Sequence, residues 1–215
     1  MFNNCTIKEF LDELASKSPA PGGGSTAALA ASLGSSLSSM VFNLTIGKKM
    51  FDEYSDEIQE SIHDALKKAE ESKEEFLKLM DKDTEAFMGL MDAFKLPKES
   101  EEEKVIRSAK IQKGLIDALE VPLEMAEKAF ELYDVIKIAC KYGNKNAISD
   151  AGVAALMIQS GIESAVLNTR INVASIKDKE YKGKTEERCN VLVNEGRIFR
   201  DNVLEVVYDE IGGIQ

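Results

Sequence analysis

The feature that most constrains the fold is a run without a single charged side chain, from Ser18 to Gly47. A membrane-spanning helix needs roughly 20 mostly apolar residues, so this run is long enough to cross a bilayer. It contains Pro19 and Pro21, however, and after Pro21 it holds five glycines, six serines and few large aliphatic residues. We therefore expect a loop followed by a buried helix whose small side chains let neighbouring helices come close, and no membrane partner.

The rest of the chain follows a helical period almost everywhere, and no run alternates with period two long enough to be a strand. Thr6 with Glu9 and Ser100 with Glu103 form capping boxes that mark two helix starts. The first helix should bury an apolar face made of Ile7, Phe10, Leu11, Leu14 and Ala15. Further helices are predicted over 25–46, 53–94, 100–143 with a kink at Pro122, 146–176 and 185–211. The prediction is an all-α, single-domain bundle of about six helices over residues 1–215, with the two small-residue helices, 25–46 and 146–176, at its centre.

Charge and cysteine content narrow the class of protein. Lys and Arg number 27 against 38 Asp and Glu, which gives a formal net charge of −11. An acidic surface repels phosphates, so a nucleic-acid partner is not expected. The three cysteines are far apart, no cluster of metal-ligand residues stands out, and the first residues lack the apolar core of a secretory signal. We expect a cytoplasmic protein without a metal site.

Asp83 is the sharpest candidate for chemistry. The apolar stripe of the third predicted helix steps by four and three residues, and Asp83 occupies one of its positions; the other members are Phe76, Met80, Phe87, Leu90 and Phe94. A carboxylate on a core-facing stripe costs free energy unless it is paired, hydrogen-bonded or useful. Asp83 is therefore interpreted either as a catalytic group or as a packing residue that meets a lysine or a backbone group. The only histidine, His63, lies off the apolar stripe, so carboxylates are the expected proton carriers.

Two pairs of polar residues lie on the second small-residue helix. Asn146 and Asp150 are one turn apart, as are Asn168 and Asn172, so each pair shares a helix face. Asp150 and Asn168 have the same azimuth but lie about 27 Å apart along the axis. They line an extended ligand, serve different sites, or meet through a partner subunit. Helix capping is the alternative for Asn146 and Asp150.

The sequence Gly22-Gly23-Gly24-Ser25 stands at a predicted helix start, with Ser25 as the expected cap. Free backbone N–H groups at such a start can bind an anion, and glycine lets a ligand approach closely. The sequence lacks the Gly-Lys-Ser/Thr ending of a nucleotide-binding loop. The sequence from Gly22 to Ser25 is consistent both with an anion-binding site and with a plain tight turn.

Motifs along nearly the whole chain resemble the formiminotransferase-cyclodeaminase C-terminal family. The resemblance is carried by Pro21-Gly-Gly-Gly-Ser25, Met40-Val-Phe-Asn-Leu-Thr45, Asp83-Thr-Glu-Ala-Phe87, Val121-Pro-Leu123, Gly143-Asn-Lys-Asn-Ala-Ile-Ser-Asp150, and Asn168 with Ile171-Asn172. Arg170 departs from the family's usual Asn-Val-x-Ile-Asn pattern. The resemblance implies an all-helical homodimer that acts on a tetrahydrofolate derivative, with no cofactor beyond that substrate.

The resemblance implies one of two reactions and a set of site residues. Members cyclodeaminate 5-formimino-tetrahydrofolate to 5,10-methenyl-tetrahydrofolate and ammonia, or hydrolyse the methenyl compound to 10-formyl-tetrahydrofolate. Asp83 is the first catalytic candidate and Asp150 the second, although either carboxylate could instead anchor the pterin. The expected substrate-binding residues are Pro21, Gly22, Gly23, Gly24, Ser25, Lys48, Asn144, Asn146, Ser149, Asn168 and Asn172.

For the anionic glutamate tail of the substrate, we expect the Gly22–Ser25 loop with Lys48 and Lys49 nearby, or else Lys141 and Lys145. Cyclodeaminase is the first functional prediction and cyclohydrolase the alternative. A non-catalytic helical scaffold is the alternative from another class. It explains the small-residue helices but not a carboxylate on an apolar stripe.

Overall fold

A computed structural model describes residues 1–212, which fold into helices joined by short turns, with no strand in that range. The all-α prediction is confirmed. The helices are α1 (Ile7–Leu14), α2 (Gly23–Asn43), α3 (Lys49–Asp52), α4 (Asp56–Lys95), α5 (Glu101–Tyr142), α6 (Ile148–Val173) and α7 (Lys179–Glu210), with 3-10 turns at Phe2–Asn4 and Lys145–Ala147.

Local signals set most helix boundaries. Both predicted capping boxes are present at the starts of α1 and α5. The prediction for α7 began too late, because the Asp178 side chain accepts hydrogen bonds from the backbone of Glu180 and Tyr181 and starts the helix at Lys179. The four-residue α3 was not predicted. On α1 only Phe10 is buried, whereas Ile7 is 82% and Leu11 53% exposed, so the predicted buried face of this helix is largely open.

Five long helices, α2 and α4 to α7, form the core. α2 packs against α4 and α6, and α5 packs against the same two helices from the opposite side, while α7 covers α5 and α6. The small residues of α2 and α6 bring these two helices close together as predicted: Gly34 packs on Ile158, and Gly161 packs on Ala27 and Ala31. These pairs show that α2 and α6 run antiparallel.

The buried serines of α2 are satisfied within their own helix. Ser35 Oγ donates to Ala31 O at 3.0 Å, and Ser38 Oγ donates to Gly34 O at 3.0 Å. Hydroxyls bonded in this way can lie in an apolar core without an unmade hydrogen bond. Among residues 1–212, α2 is the helix long and apolar enough to cross a membrane, and it lies inside the bundle as the sequence predicts.

Candidate functional site

One elongated cavity of about 360 Å³ opens between four elements of the bundle. Its inner end lies at the first turn of α2, and its walls follow α4 from Asp83 to Phe94 and α6 from Asn168 to its C-terminal end. The lining residues are Pro19, Ala20, Gly22, Gly23, Gly24, Asp83, Thr84, Phe87, Leu90, Met91, Phe94, Leu115, Ala118, Asn168, Ile171, Asn172 and Ser175. Residues from the glycine loop, the α4 stripe and the second asparagine pair therefore share one cavity.

Asp83 lies at the inner end of this cavity, directly against the backbone of α2. A β-carbon at Gly24 would overlap both carboxylate oxygens of Asp83, so a side chain there would force the carboxylate to move. Burial raises the pKa of Asp83 from 3.8 to about 6, and no charge or hydrogen bond within the described residues offsets that burial. No lysine pairs with Asp83 among the described residues, whereas the other form of the packing alternative, a carboxyl group that meets backbone, fits this contact as well as a catalytic role does.

The first turn of α2 supplies donors beside this carboxyl group. The first N–H groups of a helix have no partner within it, and the first helical backbone bond here runs from Thr26 N to Gly22 O at 3.0 Å. Gly23 and Gly24 both line the cavity. A carboxyl group and free backbone donors thus border the same space.

Asn168 and Asn172 face the cavity with their amide nitrogens already in use. Asn168 Nδ2 donates to Ser164 O at 2.8 Å, and Asn172 Nδ2 donates to Ala118 O at 3.1 Å. A β-carbon at Gly23 would lie 2.9 Å from Asn168 Nδ2, so a side chain there would push this amide aside. With both nitrogens bonded to backbone carbonyls, the two side chains have their oxygen acceptors left for a ligand.

Pro122 explains how Asn172 is held. Proline has no N–H, so the carbonyl four residues before it in a helix loses its usual partner. In α5 that carbonyl belongs to Ala118, and the amide of Asn172 takes the vacant position. α5 continues through Pro122 as one helix, and the proline provides an anchor for a residue of α6.

Two residues of the glycine loop differ from their predicted roles. Gly22, not Ser25, is the residue before α2, and no side chain caps the helix there. Ser25 is 0% exposed, and its hydroxyl lies 3.4 Å from Thr84 Oγ1 on α4. Pro21 is also buried and does not line the cavity. Helix α2 starts earlier than predicted, so Ser25 lies in its first turn and packs between α2 and α4 instead of facing a ligand.

The remaining predicted residues lie at the other end of the α2–α6 pair. Residue 48 follows α2, and α2 is 21 residues long, which is roughly 30 Å of helix. The expectation that Lys48 and Lys49 lie near Gly22–Ser25 is therefore wrong within one subunit. Asp150 lies at the N-terminal end of α6, far from Asn168 as its spacing predicts. The residues grouped at this distal end are Lys48, Asn144, Asn146, Ser149 and Asp150.

Several polar groups at the distal end are used in structural bonds. Asn144 Nδ2 donates to Leu44 O at 3.0 Å, its backbone N–H donates to Thr45 Oγ1 at 2.8 Å, and its Oδ1 accepts from Asn146 N at 3.0 Å. Lys145 is paired with Glu210 at 3.1 Å. Asn144 therefore joins the end of α2 to the start of α6.

Arg170 stands at the variable position of the Asn-Val-x-Ile-Asn pattern, so the departure from that pattern is Thr169 and not Arg170 as predicted. Arg170 does not line the cavity. Its guanidinium bonds to Glu186 at 3.1 Å and to Asn190 at 2.7 Å, both on α7. The cavity residues that sequence reasoning missed are mostly apolar, above all Met91, Leu115 and Phe94, together with the polar Thr84 and Ser175. Phe94 is 44% exposed. It had been placed on the helix stripe with core residues, and periodicity alone does not separate a cavity wall from a core.

Comparisons with known proteins identify the family. A family model described as Formiminotransferase-cyclodeaminase matches residues 6–191. The chain is 38% identical over 211 residues to a methenyltetrahydrofolate cyclohydrolase of Methylorubrum extorquens, covering 98% of this chain and 100% of that protein. It is 33% identical to the formimidoyltransferase-cyclodeaminase of Rattus norvegicus, covering 90% of this chain and 35% of that longer protein. The crystal structure of a formiminotetrahydrofolate cyclodeaminase from Thermotoga maritima matches with a TM-score of 0.80 at 26% identity, covering 100% and 99% of the two chains. The chain belongs to the formiminotransferase-cyclodeaminase family.

Proposed function

We propose that this protein is a folate one-carbon enzyme, a formimidoyltetrahydrofolate cyclodeaminase that forms 5,10-methenyl-tetrahydrofolate and ammonia. The observation that carries the proposal is Asp83, a carboxyl group at the inner end of the cavity whose pKa burial raises to about 6. Such a group is present in both protonation states near neutral pH, which suits a general acid–base catalyst. The solved Thermotoga maritima cyclodeaminase and the animal relatives, whose names include this activity, support the same reaction.

The reaction needs one proton carrier that works in both directions. N10 of the folate attacks the formimino carbon, and Asp83 accepts the N10 proton as the new C–N bond forms. The resulting tetrahedral carbon carries an amino group, and Asp83 returns the proton to it. The same nitrogen also takes up one proton from solvent, so it leaves as ammonia when its bond to this carbon breaks, and the cationic methenyl bridge remains. The carboxylate left behind lies beside the positive methenyl bridge and stabilises it.

The other cavity residues suit the rest of a folate. Pterins present adjacent N–H donors, which match the free oxygen acceptors of Asn168 and Asn172. Phe87, Met91 and Phe94 follow Asp83 along the cavity wall and provide an apolar surface for the aminobenzoyl ring. In the rival arrangement Asp83 itself accepts the pterin donors and only anchors the substrate.

Methenyltetrahydrofolate cyclohydrolase is the second candidate. It is favoured by the Methylorubrum extorquens relative, which is 38% identical over its full length. In that reaction Asp83 would take a proton from the water that adds to the methenyl carbon. It would then deliver the proton to N5 as the C–N5 bond breaks, while the hydroxyl group of the adduct releases its proton to solvent and becomes the carbonyl of the formyl group on N10. Both reactions use one carboxyl group at the same carbon.

The proposal includes a cytoplasmic homodimer that needs no cofactor beyond its tetrahydrofolate substrate. The outer faces of α2 and α6 leave Leu33, Met40, Val153 and Leu156 exposed, and an apolar surface of this kind is typical of a subunit interface. A two-fold axis across these antiparallel helices would bring the distal end of one subunit beside the cavity of the other. In that arrangement Asp150 and Lys48 stay candidates for the site.

The test is to supply 5-formimino-tetrahydrofolate and 5,10-methenyl-tetrahydrofolate separately and to follow the near-ultraviolet absorbance of the methenyl bridge. We expect the band to appear from the formimino compound with release of ammonia. Loss of the band from the methenyl compound faster than without enzyme identifies a cyclohydrolase instead. Rates equal to the enzyme-free control, with no folate bound, would contradict both reactions and favour the non-catalytic scaffold.

A further inference from the structure

A second pocket, of about 400 Å³, lies where the turn between α4 and α5 meets the turn between α6 and α7. It is unusual for this acidic chain because cations dominate its lining and, among the described residues, no carboxylate lines it. The charged and polar residues around it are Lys98, Lys104, Arg107, Ser108, Gln112 and Lys177. A pocket with this lining is suited to a ligand that carries more than one negative charge.

This basic pocket adjoins the outer end of the Asp83 cavity. Arg107 Nη2 donates to Phe94 O at 3.0 Å, and Gln112 Nε2 donates to Ser175 O at 3.1 Å. Phe94 and Ser175 both line the cavity. The two spaces therefore share a rim made by the last turn of α4 and the end of α6.

Most cations of this pocket have no carboxylate partner among the described residues and could bind an anionic ligand. Within residues 1–212, Lys104 pairs with Glu101, whereas Lys98, Arg107 and Lys177 form no ion pair. Lys177 Nζ contacts only the neutral hydroxyl of Ser108, at 2.9 Å. The Nε atom of Arg107 is buried and has no hydrogen-bond partner among the described residues.

The acidic residues of the same turn do not neutralise the pocket. The Glu103 carboxylate accepts from the backbone N–H groups of Glu99 and Ser100 at 2.9 and 3.0 Å. Glu99 and Glu102 are exposed and lie outside the lining. Of the three pocket cations without an ion pair, Arg107 and Lys177 are the two whose hydrogen bonds lie beside the shared rim.

We propose that the glutamate carboxylates of the substrate bind in this basic pocket, with Arg107 and Lys177 as their contacts. The inference rests on the proposed function. Asp83 and Phe94 are eleven residues apart on α4, roughly 16 Å along the helix, so an extended folate can reach from one to the other. The order of polar inner end, apolar walls and basic outer end matches pterin, aminobenzoyl ring and glutamate. Arginine can bind a carboxylate with two parallel hydrogen bonds, which fixes its orientation.

The test removes the charge from the protein and from the substrate in turn. Kinetics are measured with 5,10-methenyl-tetrahydrofolate and the formimino compound, and with the matching tetrahydropteroates, which lack glutamate. For Arg107→Gln we expect KM to rise about tenfold with the full substrates, the loss typical of one charge-assisted contact, and to stay unchanged with the pteroates. Lys177→Gln, on a different segment, should show the same selective loss. The control is Lys110→Gln, an exposed position of α5 outside the pocket, for which both KM values should stay near those of the wild type.

The possible failures can be told apart. An equal rise of KM for full and glutamate-free substrates in both variants would overturn the inference, since the residues would then act on the fold. A selective loss in Lys48→Glu, with Arg107→Gln and Lys177→Gln at wild-type values, would place the glutamate at the distal end and also overturn it. If the wild type acts on neither substrate pair, the proposed function itself fails, whereas wild-type activity with insensitive variants rejects only the basic pocket.

Discussion

The two ends of the α2–α6 pair carry similar polar motifs but use them differently. At the cavity end, Asn168 and Asn172 bond to carbonyls through nitrogen only, and Asp83 has no partner among the described residues. At the distal end, Asn144 uses its side-chain nitrogen, its side-chain oxygen and its backbone N–H in bonds that join two helices. Hydrogen-bonding capacity that is left free, rather than the presence of polar residues, distinguishes a candidate site from a structural joint.

The largest expected effect comes from removing the carboxylate at the cavity end. Asp83→Asn should lower kcat by about 10²–10⁴, the usual contribution of a positioned acid–base group, while KM changes little. Glu85→Gln, two residues away on an exposed face, is the matched control and should keep wild-type kcat. An unchanged kcat with weaker binding in Asp83→Asn would make this residue a pterin anchor. Asp150→Asn, with a loss as large, would bring the distal end into the same site.

Gly24→Ala should be the next most damaging change at the cavity end. The new β-carbon would overlap the Asp83 carboxylate, so the carboxylate must move. We expect a loss of stability of about 1–3 kcal/mol, as for other overpacked sites, together with a fall in kcat. Gly89→Ala on α4 is the control, because a β-carbon there meets no atom within 4 Å; this change should stabilise the helix by up to about 1 kcal/mol. Full activity in Gly24→Ala would refute the proposed catalytic position of Asp83.

The raised pKa of Asp83 predicts that the protein loses stability as the pH rises. The pKa of Asp83 is about 6 in the folded chain and 3.8 in the unfolded chain. The contribution of the protonated Asp83 to the free energy of unfolding is therefore fully present below about pH 4 and is lost as pH rises through about 6. In denaturant unfolding at about pH 8, Asp83→Asn should therefore have a free energy of unfolding about 1–3 kcal/mol higher than wild type, with the difference shrinking towards about pH 4. A difference that does not depend on pH would contradict the raised pKa.

At the distal end the expected effect is on stability. Asn144→Ala removes the bonds to Leu44 O and Asn146 N, and should cost about 1–2 kcal/mol in chemical denaturation. Asn144→Asp keeps the acceptor for Asn146 and should recover part of the loss. Wild-type stability in Asn144→Ala would show that Asn144 does not hold α2 and α6 together, and the contrast between the two ends would fail.

The smallest expected effect concerns the link between Pro122 and Asn172. Pro122→Ala restores a backbone N–H that competes for Ala118 O, the carbonyl now bonded to Asn172. The variant should be at least as stable as wild type, yet KM should rise by about three- to tenfold as Asn172 loses its orientation. Asn172→Ala should raise KM similarly, and the double variant should add little, because both changes break one interaction. Additive effects would show that the two residues act independently.

Helical period and capping are local, and sequence reasoning on them succeeded. The two capping boxes, the small-residue composition of two helices and the conflict at Asp83 each follow from residues within a few turns of one another on one helix. Ser25 was misplaced because the start of α2 depends on the backbone at Gly22, which no capping side chain marks. Lys48 could have been separated from the glycine loop by the predicted helix length alone. The basic pocket was not predicted, since Arg107 of α5 and Lys177 of the α6–α7 turn are 70 residues apart and only the packed bundle brings them together.

The sequence by itself determined that the chain is all-helical, that two small-residue helices pack closely, and that an aspartate interrupts an apolar stripe. These features depend on side-chain size and on spacing along one helix. Only the tertiary structure decided which polar residues share a cavity and which are used up in joints between helices. The reason is physical: whether an amide such as that of Asn172 is free or bonded depends on a carbonyl from another helix, Ala118 O, and no local pattern specifies that contact.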